Sequence, residues 1–313
     1  MADLKYSGYL LILLAVVFFS TIEVGSQHLQ KEMGVSALDI SVLRFSVGGI
    51  FLVVVALAQV GWRRLFQIVR ADGLRLALLG LLGATAVSLC FHRSLMLTSS
   101  MIAGAIFSIN PAIVALIYSI FRVDKLTWQR MTGVALGLAC VLVTSIGSQA
   151  HEPDFPRYFL GNMFMVGAVL AWSFYFLLVR DYIKKYGGLI VSAIVVVSGS
   201  IGLLLFAPFA PSLGWGKSLA FFGELTLNGW ILALYLGTVS VGLGYYLLYT
   251  GLAKTGISNG MMVFFIKPGL VALLAHFLQG QPLSMWIGLG IALATASIFV
   301  VSMAGKTGEI SNP

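Results

Sequence analysis

Residues 107–116 read Phe-Ser-Ile-Asn-Pro-Ala-Ile-Val-Ala-Leu, and residues 264–273 read Phe-Phe-Ile-Lys-Pro-Gly-Leu-Val-Ala-Leu. They are one segment written twice, 157 residues apart (264 minus 107), and the match runs on in both directions without a gap. Upstream, Leu79-Gly80 faces Leu236-Gly237, and Leu95 and Thr98 face Leu252 and Thr255. Downstream, Leu126, Gly133, Ala135 and Leu136 face Leu283, Gly290, Ala292 and Leu293. Nearer the start of each copy the offset becomes 153, with Gly8, Ser20 and Gly34 facing Gly161, Ser173 and Gly187. The chain is an internal duplication.

Composition says what kind of unit was duplicated. Of 313 residues, 59% are hydrophobic and only 10% charged, where a soluble domain carries about a quarter charged. That excludes a soluble enzyme or DNA-binding domain, a disordered chain and a disulfide scaffold. Apolar runs long enough to cross a bilayer recur throughout. They place helices at 6–28, 36–60, 74–97, 101–121, 127–147, 158–180, 187–208, 228–250, 255–279 and 283–304. The first run lacks a small-residue cleavage site and exceeds a signal-peptide core, so it reads as a retained helix.

Charge supports the count. With the N-terminus inside, the inner segments hold Lys5, Arg63, Arg64, Arg70, Arg75, Arg122, Lys125, Arg130, Arg180, Lys184, Lys185, Lys254 and Lys306, against Lys31, Arg157 and Lys217 outside. This positive-inside bias predicts a multi-pass protein of the cytoplasmic membrane with both termini cytoplasmic. It also accounts for the net charge of +8 without nucleic acid. Trp62, Trp128, Trp215, Trp230 and Trp286 fall at helix ends or in a loop, as interfacial anchors do; Trp172 alone lies mid-helix.

The expected fold is therefore an all-α integral membrane protein of ten helices in two five-helix repeats, 6–147 and 158–304. Five is odd, so the second copy enters the membrane inverted. Inverted repeats with a site near the midplane are a secondary-transporter architecture. Helices one to four and six to nine are expected to line a cavity, with five and ten bracing it. The Gly133/Gly137 and Gly290/Ala294 spacings suit close packing of those two, as a scaffold pair or a dimer contact, so monomer and homodimer both stay open.

Ionisable groups at bilayer depth are costly, about 2.5–3.5 kcal/mol on insertion scales, and mark function. Lys267 lies midway along the ninth helix beside Pro268, with Asn110 and Pro111 as its repeat mates. The prolines are expected to kink helices four and nine and free carbonyls. Lys267 then either meets an anionic substrate group or is satisfied by neighbouring carbonyls. Glu23 is the one acid well inside a helix; it binds an amine, carries a coupling proton, or pairs with Arg44 as a lock or outer gate. His92 and Ser88 share a helix face with spacing four, as do their mates Tyr249 and Tyr245. Trp172, with Tyr175, faces Phe19 in the other copy. All of these are candidate substrate-binding residues or, alternatively, packing.

Arg44 in Ser41-Val42-Leu43-Arg44-Phe45, the Pro111 and Pro268 segments, and glycine-bearing fifth helices beginning near Thr127 and Ser284 together resemble the EamA-like drug/metabolite transporter superfamily. The resemblance covers almost the whole chain. It implies transport of small organic metabolites, amino acids or similar compounds foremost, often in the export direction; with no ATPase element in the sequence, a gradient of protons or counter-substrate is the expected source of energy. Where the family has Gly-Glu after helices four and nine, this chain has Val123-Asp124 and Gly280-Gln281.

No metal-ligand spacing, Walker loop or dinucleotide fingerprint is present, so neither a metal nor a cofactor is expected. The alternatives are a transporter of anionic metabolites such as organic acids or phosphates and, remotely, a membrane enzyme built on His92 and Glu23.

Overall fold

The computed structural model of the protein describes residues 2–121, 127–149, 155–213, 223 and 225–307. Its crossings are counted from Gly61. An apolar stretch runs from Ala37 to Leu97, 61 residues; at ~1.5 Å per residue it would be about three times the ~30 Å hydrocarbon layer. It is not one rod. Gly61 has φ 76° and ψ 158° inside the helix Ala37–Gly80, a conformation that residues with a Cβ rarely adopt, and there the helix breaks at a kink.

The helices are α1 (Ala2–Lys31), α2 (Ala37–Gly80), α3 (Val87–Leu97), α4 (Ser100–Phe107), α5 (Asn110–Ile120), α6 (Trp128–Gln149), α7 (Phe155–Tyr186), α8 (Gly188–Phe206), α9 (Leu227–Tyr235), α10 (Gly244–Thr255), α11 (Ile257–Gly260), α12 (Lys267–Gln279) and α13 (Met285–Thr307). Among the described residues, six segments are long and apolar enough to cross a membrane; the break at Gly61 makes seven crossings of them. The shorter apolar stretches in α6 and α13 add two, and Ile257–Gln279 is the tenth. The all-helical, ten-span architecture follows.

Some differences from the sequence reading are local. Residues 62–73, expected as a loop, continue as helix to Gly80, because only Gly61 interrupts the hydrogen-bonded ladder. Arg63, Arg64 and Arg70 therefore project from a helix with exposed Trp62 and Phe66. Arg122, Val123-Asp124, Lys125, Leu126, Trp215 and Lys217 lie outside the described residues.

Spans three and eight carry the same irregularity. Leu81–Ala86 and Leu236–Leu243 are π-helical, and shifting the first by 157 residues lands it inside the second. Such wide turns inside membrane helices recur at functional sites.

Each span's main partner lies in the other repeat. α1 packs along α10, α3 along α7, α2 along α8, and α6 along α13. Small residues permit this. A Cβ on Gly80 would lie 2.6 Å from the Val195 carbonyl oxygen, and one on Gly48 would lie 2.8 Å from that of Gly237. α6 and α13 are fastened by Ser297 Oγ donating to the Gly133 carbonyl at 2.5 Å.

In purified protein, Gly80→Val is expected to cost about 1–3 kcal/mol by overpacking, read as a lowered melting temperature in detergent. Gly288→Ala, where an added Cβ meets nothing within 4 Å, is expected to leave it within a degree or two.

Candidate functional site

Spans four and nine are broken helices. α4 ends at Phe107 and α5 begins at Asn110, with Pro111 in its first turn. In the second copy a 3₁₀ segment, Met261–Ile266, leads into α12, which begins at Lys267 with Pro268 in the first turn. The expected kinks are thus helix starts: proline lacks an N–H and is at home where that N–H would be unpaired anyway. Non-helical backbone at this depth is tolerated because it is enclosed by protein.

A helix start is the wrong place for a cation, since the helix dipole is positive there. Lys267, 2% exposed, is met by Glu23 of α1, whose Oε1 accepts from its Nζ in a short hydrogen bond. The ammonium also lies 4.5 Å from the ring centroid of Phe107, a cation–π contact. Glu23 therefore pairs with Lys267 and not with Arg44, the partner considered from sequence. Its second oxygen, Oε2, has no hydrogen-bond partner among the described residues.

Arg44 turns instead to His92: Nη1 lies 2.9 Å from His92 Nε2. Guanidinium can only donate, so Nε2 accepts, and the proton of a neutral imidazole sits on Nδ1. Nδ1 then donates toward the Ser88 carbonyl at 3.0 Å and Ser41 Oγ at 2.8 Å. Ser26 Oγ is 3.3 Å from Nε2. His92 is fully buried and ties α1, α2 and α3 together one turn beyond the cavity.

The pair opens onto a cavity of about 50 Å³ between the repeats, lined from spans one to four, six, eight and nine. That holds a few waters, so the walls are drawn in. Lys267, Glu23, Arg44, Ser88, Trp172 and Tyr245 line it, together with Phe19, Ile22, Phe45, Val87, Phe91, Phe107 and Phe264. Trp172 stacks on Tyr175 with centroids 5.5 Å apart and meets Tyr245 edge-on at 5.6 Å.

Other candidates stand behind the walls. Asn110 donates to the Val169 carbonyl and to Ser173 Oγ, each at 3.3 Å, fastening α5 to α7. Tyr175 and Tyr249 share a hydrogen bond of 2.5 Å between hydroxyls, both fully buried. They lie one turn beyond Trp172 and Tyr245, towards the face where α1 begins, and His92 lies one turn beyond Ser88 towards the opposite face. Span seven, expected at the cavity, is absent from its lining. The mates of Arg44 and Phe45 there are Val197 and Ser198, too short to reach past the closely packed α2–α8 seam.

Two features escaped the sequence reading. Phe107 and Phe264 are repeat mates and both line the cavity, a signal the duplication already contained. Gln27, Ser100, Gln279 and Gln281 form an amide cluster joining α1, α4 and α12, with Gln281 Nε2 2.7 Å from Gln27 Oε1 and Ser100 Oγ 2.8 Å from Gln279 Oε1. Nothing in their separated positions announces that contact.

Removing one member of the buried pair leaves the other charge unmatched, at about 3–5 kcal/mol. Glu23→Gln or Lys267→Met alone is expected to lower the melting temperature of the purified protein sharply. The double variant is expected to recover most of the loss, and a double-mutant cycle measures the coupling.

The EamA-like transporter family matches the chain twice, over residues 6–146 and 159–303. A protein of Clostridium kluyveri named "Uncharacterized transporter" is 25% identical over 309 residues, covering 97% of this chain and 96% of its own. A protein of Streptantibioticus cattleyicolor, named "Probable terminal-alkyne amino-acid exporter", is 22% identical over 90% of this chain and 89% of its own. A solved crystal structure at 18% identity shares the fold, with a TM-score of 0.69 over 98% of this chain and 99% of that one. Duplicated five-helix units that interlock around a shared cavity, each matched by the same family, make this chain a member of the EamA-like transporter family.

Proposed function

We propose that the protein is a secondary active transporter that moves small organic metabolites, amino acids or related compounds foremost, out of the cell across the cytoplasmic membrane. The observation that carries this is the Glu23–Lys267 pair, buried at the junction of the two repeats on the wall of their common cavity. A charged pair in hydrocarbon is retained at a cost, and rarely without a use. Glu23 Oε2 is available to an ammonium group, and the cations beside it suit a carboxylate. The likeness to a relative named as an amino-acid exporter agrees with that chemistry.

Closure at two ends supports alternating access. The His92 cluster binds spans one, two and three together on one side, and the Tyr175–Tyr249 bond joins spans six and eight on the other. Opening one set while the other holds exposes the cavity to one face at a time. The α6–α13 pair stays outside this movement as a brace. The excess of Lys and Arg on the face where α1 begins supports cytoplasmic termini, and a gradient of protons or counter-substrate supplies the energy. A second reading, transport of anionic metabolites, is favoured by one feature: the charged cavity residues are two cations, Arg44 and Lys267, and one acid.

Proteoliposomes loaded with unlabelled amino acid test this. Trans-stimulated uptake of the labelled compound is expected for the native protein and is expected to fall at least tenfold in Lys267→Ala. Full counterflow by a folded Lys267→Ala protein would rule out the pair as the centre of the site.

A further inference from the structure

The charges around the cavity do not cancel. Glu23 and Lys267 neutralise each other, and His92 is the neutral Nδ1–H tautomer by its contact with Arg44. That leaves the Arg44 guanidinium, 5% exposed, with no carboxylate forming an ion pair with it among the described residues. Its Nη1 is engaged by His92, but its Nε has no hydrogen-bond partner. The indole Nε1 of Trp172, 4% exposed, has none either, and both side chains line the same cavity.

Guanidinium and indole N–H groups can only donate. A buried donor left unpaired is costly, and more so when charged. Two such donors, one bearing an unmatched charge, are complementary to an anion that accepts at least two hydrogen bonds. The rest of the wall limits what carries that anion. Seven of the thirteen lining side chains are aromatic, which suits an apolar body of ring size. A surplus of one positive charge suits a monoanion, a carboxylate in preference to a doubly charged phosphate ester.

We propose that Arg44 and Trp172 form the anion-recognition pole of the site, and that the substrate is a carboxylate with an apolar body whose oxygens accept from Arg44 Nε–H and Trp172 Nε1–H. This assignment rests on the transporter reading and gives Arg44 the role that sequence alone suggested for Lys267, whose charge Glu23 already meets. His92 is a positioning residue. By accepting from Nη1 it sets the plane of the guanidinium and leaves the Nε edge for the ligand. Glu23 Oε2, on the same cavity, adds a place for an amine where the substrate has one.

The test uses three matched probes on the purified full-length protein: 3-phenylpropanoate, 3-phenylpropanamide and 3-phenylpropylamine. Ligand binding to the native state raises its melting temperature, so titration of each probe yields an apparent affinity. The carboxylate is expected to bind at least tenfold more tightly than its amide. Arg44→Gln is expected to weaken the carboxylate about ten- to hundredfold and the amide little, in keeping with the strength of hydrogen bonds to charged groups. Arg44→Lys is expected to restore part of that preference.

Trp172→Phe keeps the ring and removes only the N–H, so it carries the test if Arg44→Gln does not fold. It is expected to cost the carboxylate severalfold. Equal affinity for the three probes, no stabilisation of the native protein by any of them, or an unchanged carboxylate preference in the folded variants would overturn the assignment. Counterflow of labelled L-phenylalanine in proteoliposomes separates the two layers. Carboxylate-selective binding without counterflow refutes the transport reading and leaves the anion pole standing. Counterflow inhibited equally by carboxylate and amide refutes the anion pole alone.

Discussion

Lys267 begins a helix inside the membrane, where lipid and the helix dipole both oppose a positive charge, and Glu23 on α1 is what meets it. Much of the architecture answers to that contact. For the two side chains to touch, span one of the first repeat has to lie against span nine of the second, and the broken backbone around Pro268 has to be walled off from lipid. The interleaved packing of the repeats achieves both. Glycines at 48, 80 and 237 bring the backbones close enough for the seams to shut, so the charged pair sits in a pocket made by neither repeat alone.

The duplication is symmetric in backbone and asymmetric in chemistry. Both copies have a π-helical turn in their third span and a proline-initiated half-helix in their fourth. The glycines that end the turns after the first and sixth spans, Gly34 and Gly187, have φ of 69° and 83° and lie on opposite faces, as inversion requires. Yet the mates of Glu23 and Lys267 are Phe176 and Asn110. One of the two symmetry-related pairings of a first span with a fourth span carries an ion pair, and the other has a ring and an amide at those positions. Likewise His92 and its mate Tyr249 both hold helices together, but at opposite ends of the cavity and through different partners. Repeated geometry gives the cavity two related ends. Divergent side chains make one end a histidine–arginine cluster and the other a tyrosine pair.

Much of this was legible in the chain. Ten spans, their duplication and the special status of Lys267, Glu23 and Trp172 follow from hydropathy, a repeat offset and the cost of polarity in lipid. Those are local or one-dimensional signals. The pairing of Glu23 was not legible, because residues 23, 44 and 267 belong to three spans whose neighbours are chosen by packing. Arg44 and Lys267 are equally plausible partners until the helices are placed. The amide cluster of Gln27, Gln279 and Gln281 was hidden for the same reason.

The amino-acid sequence by itself determined the solvent, the number of crossings, the inverted duplication and the short list of polar groups that lipid would not hold without a reason. Periodicity and transfer free energy act residue by residue, so they can be read from a string. Tertiary structure alone decided which of those groups neutralise one another: Glu23 with Lys267, and Arg44 with a neutral histidine that leaves its charge unmatched. Charge compensation depends on distance in space, and in a bundle of interleaved repeats neighbours in space come from opposite ends of the chain.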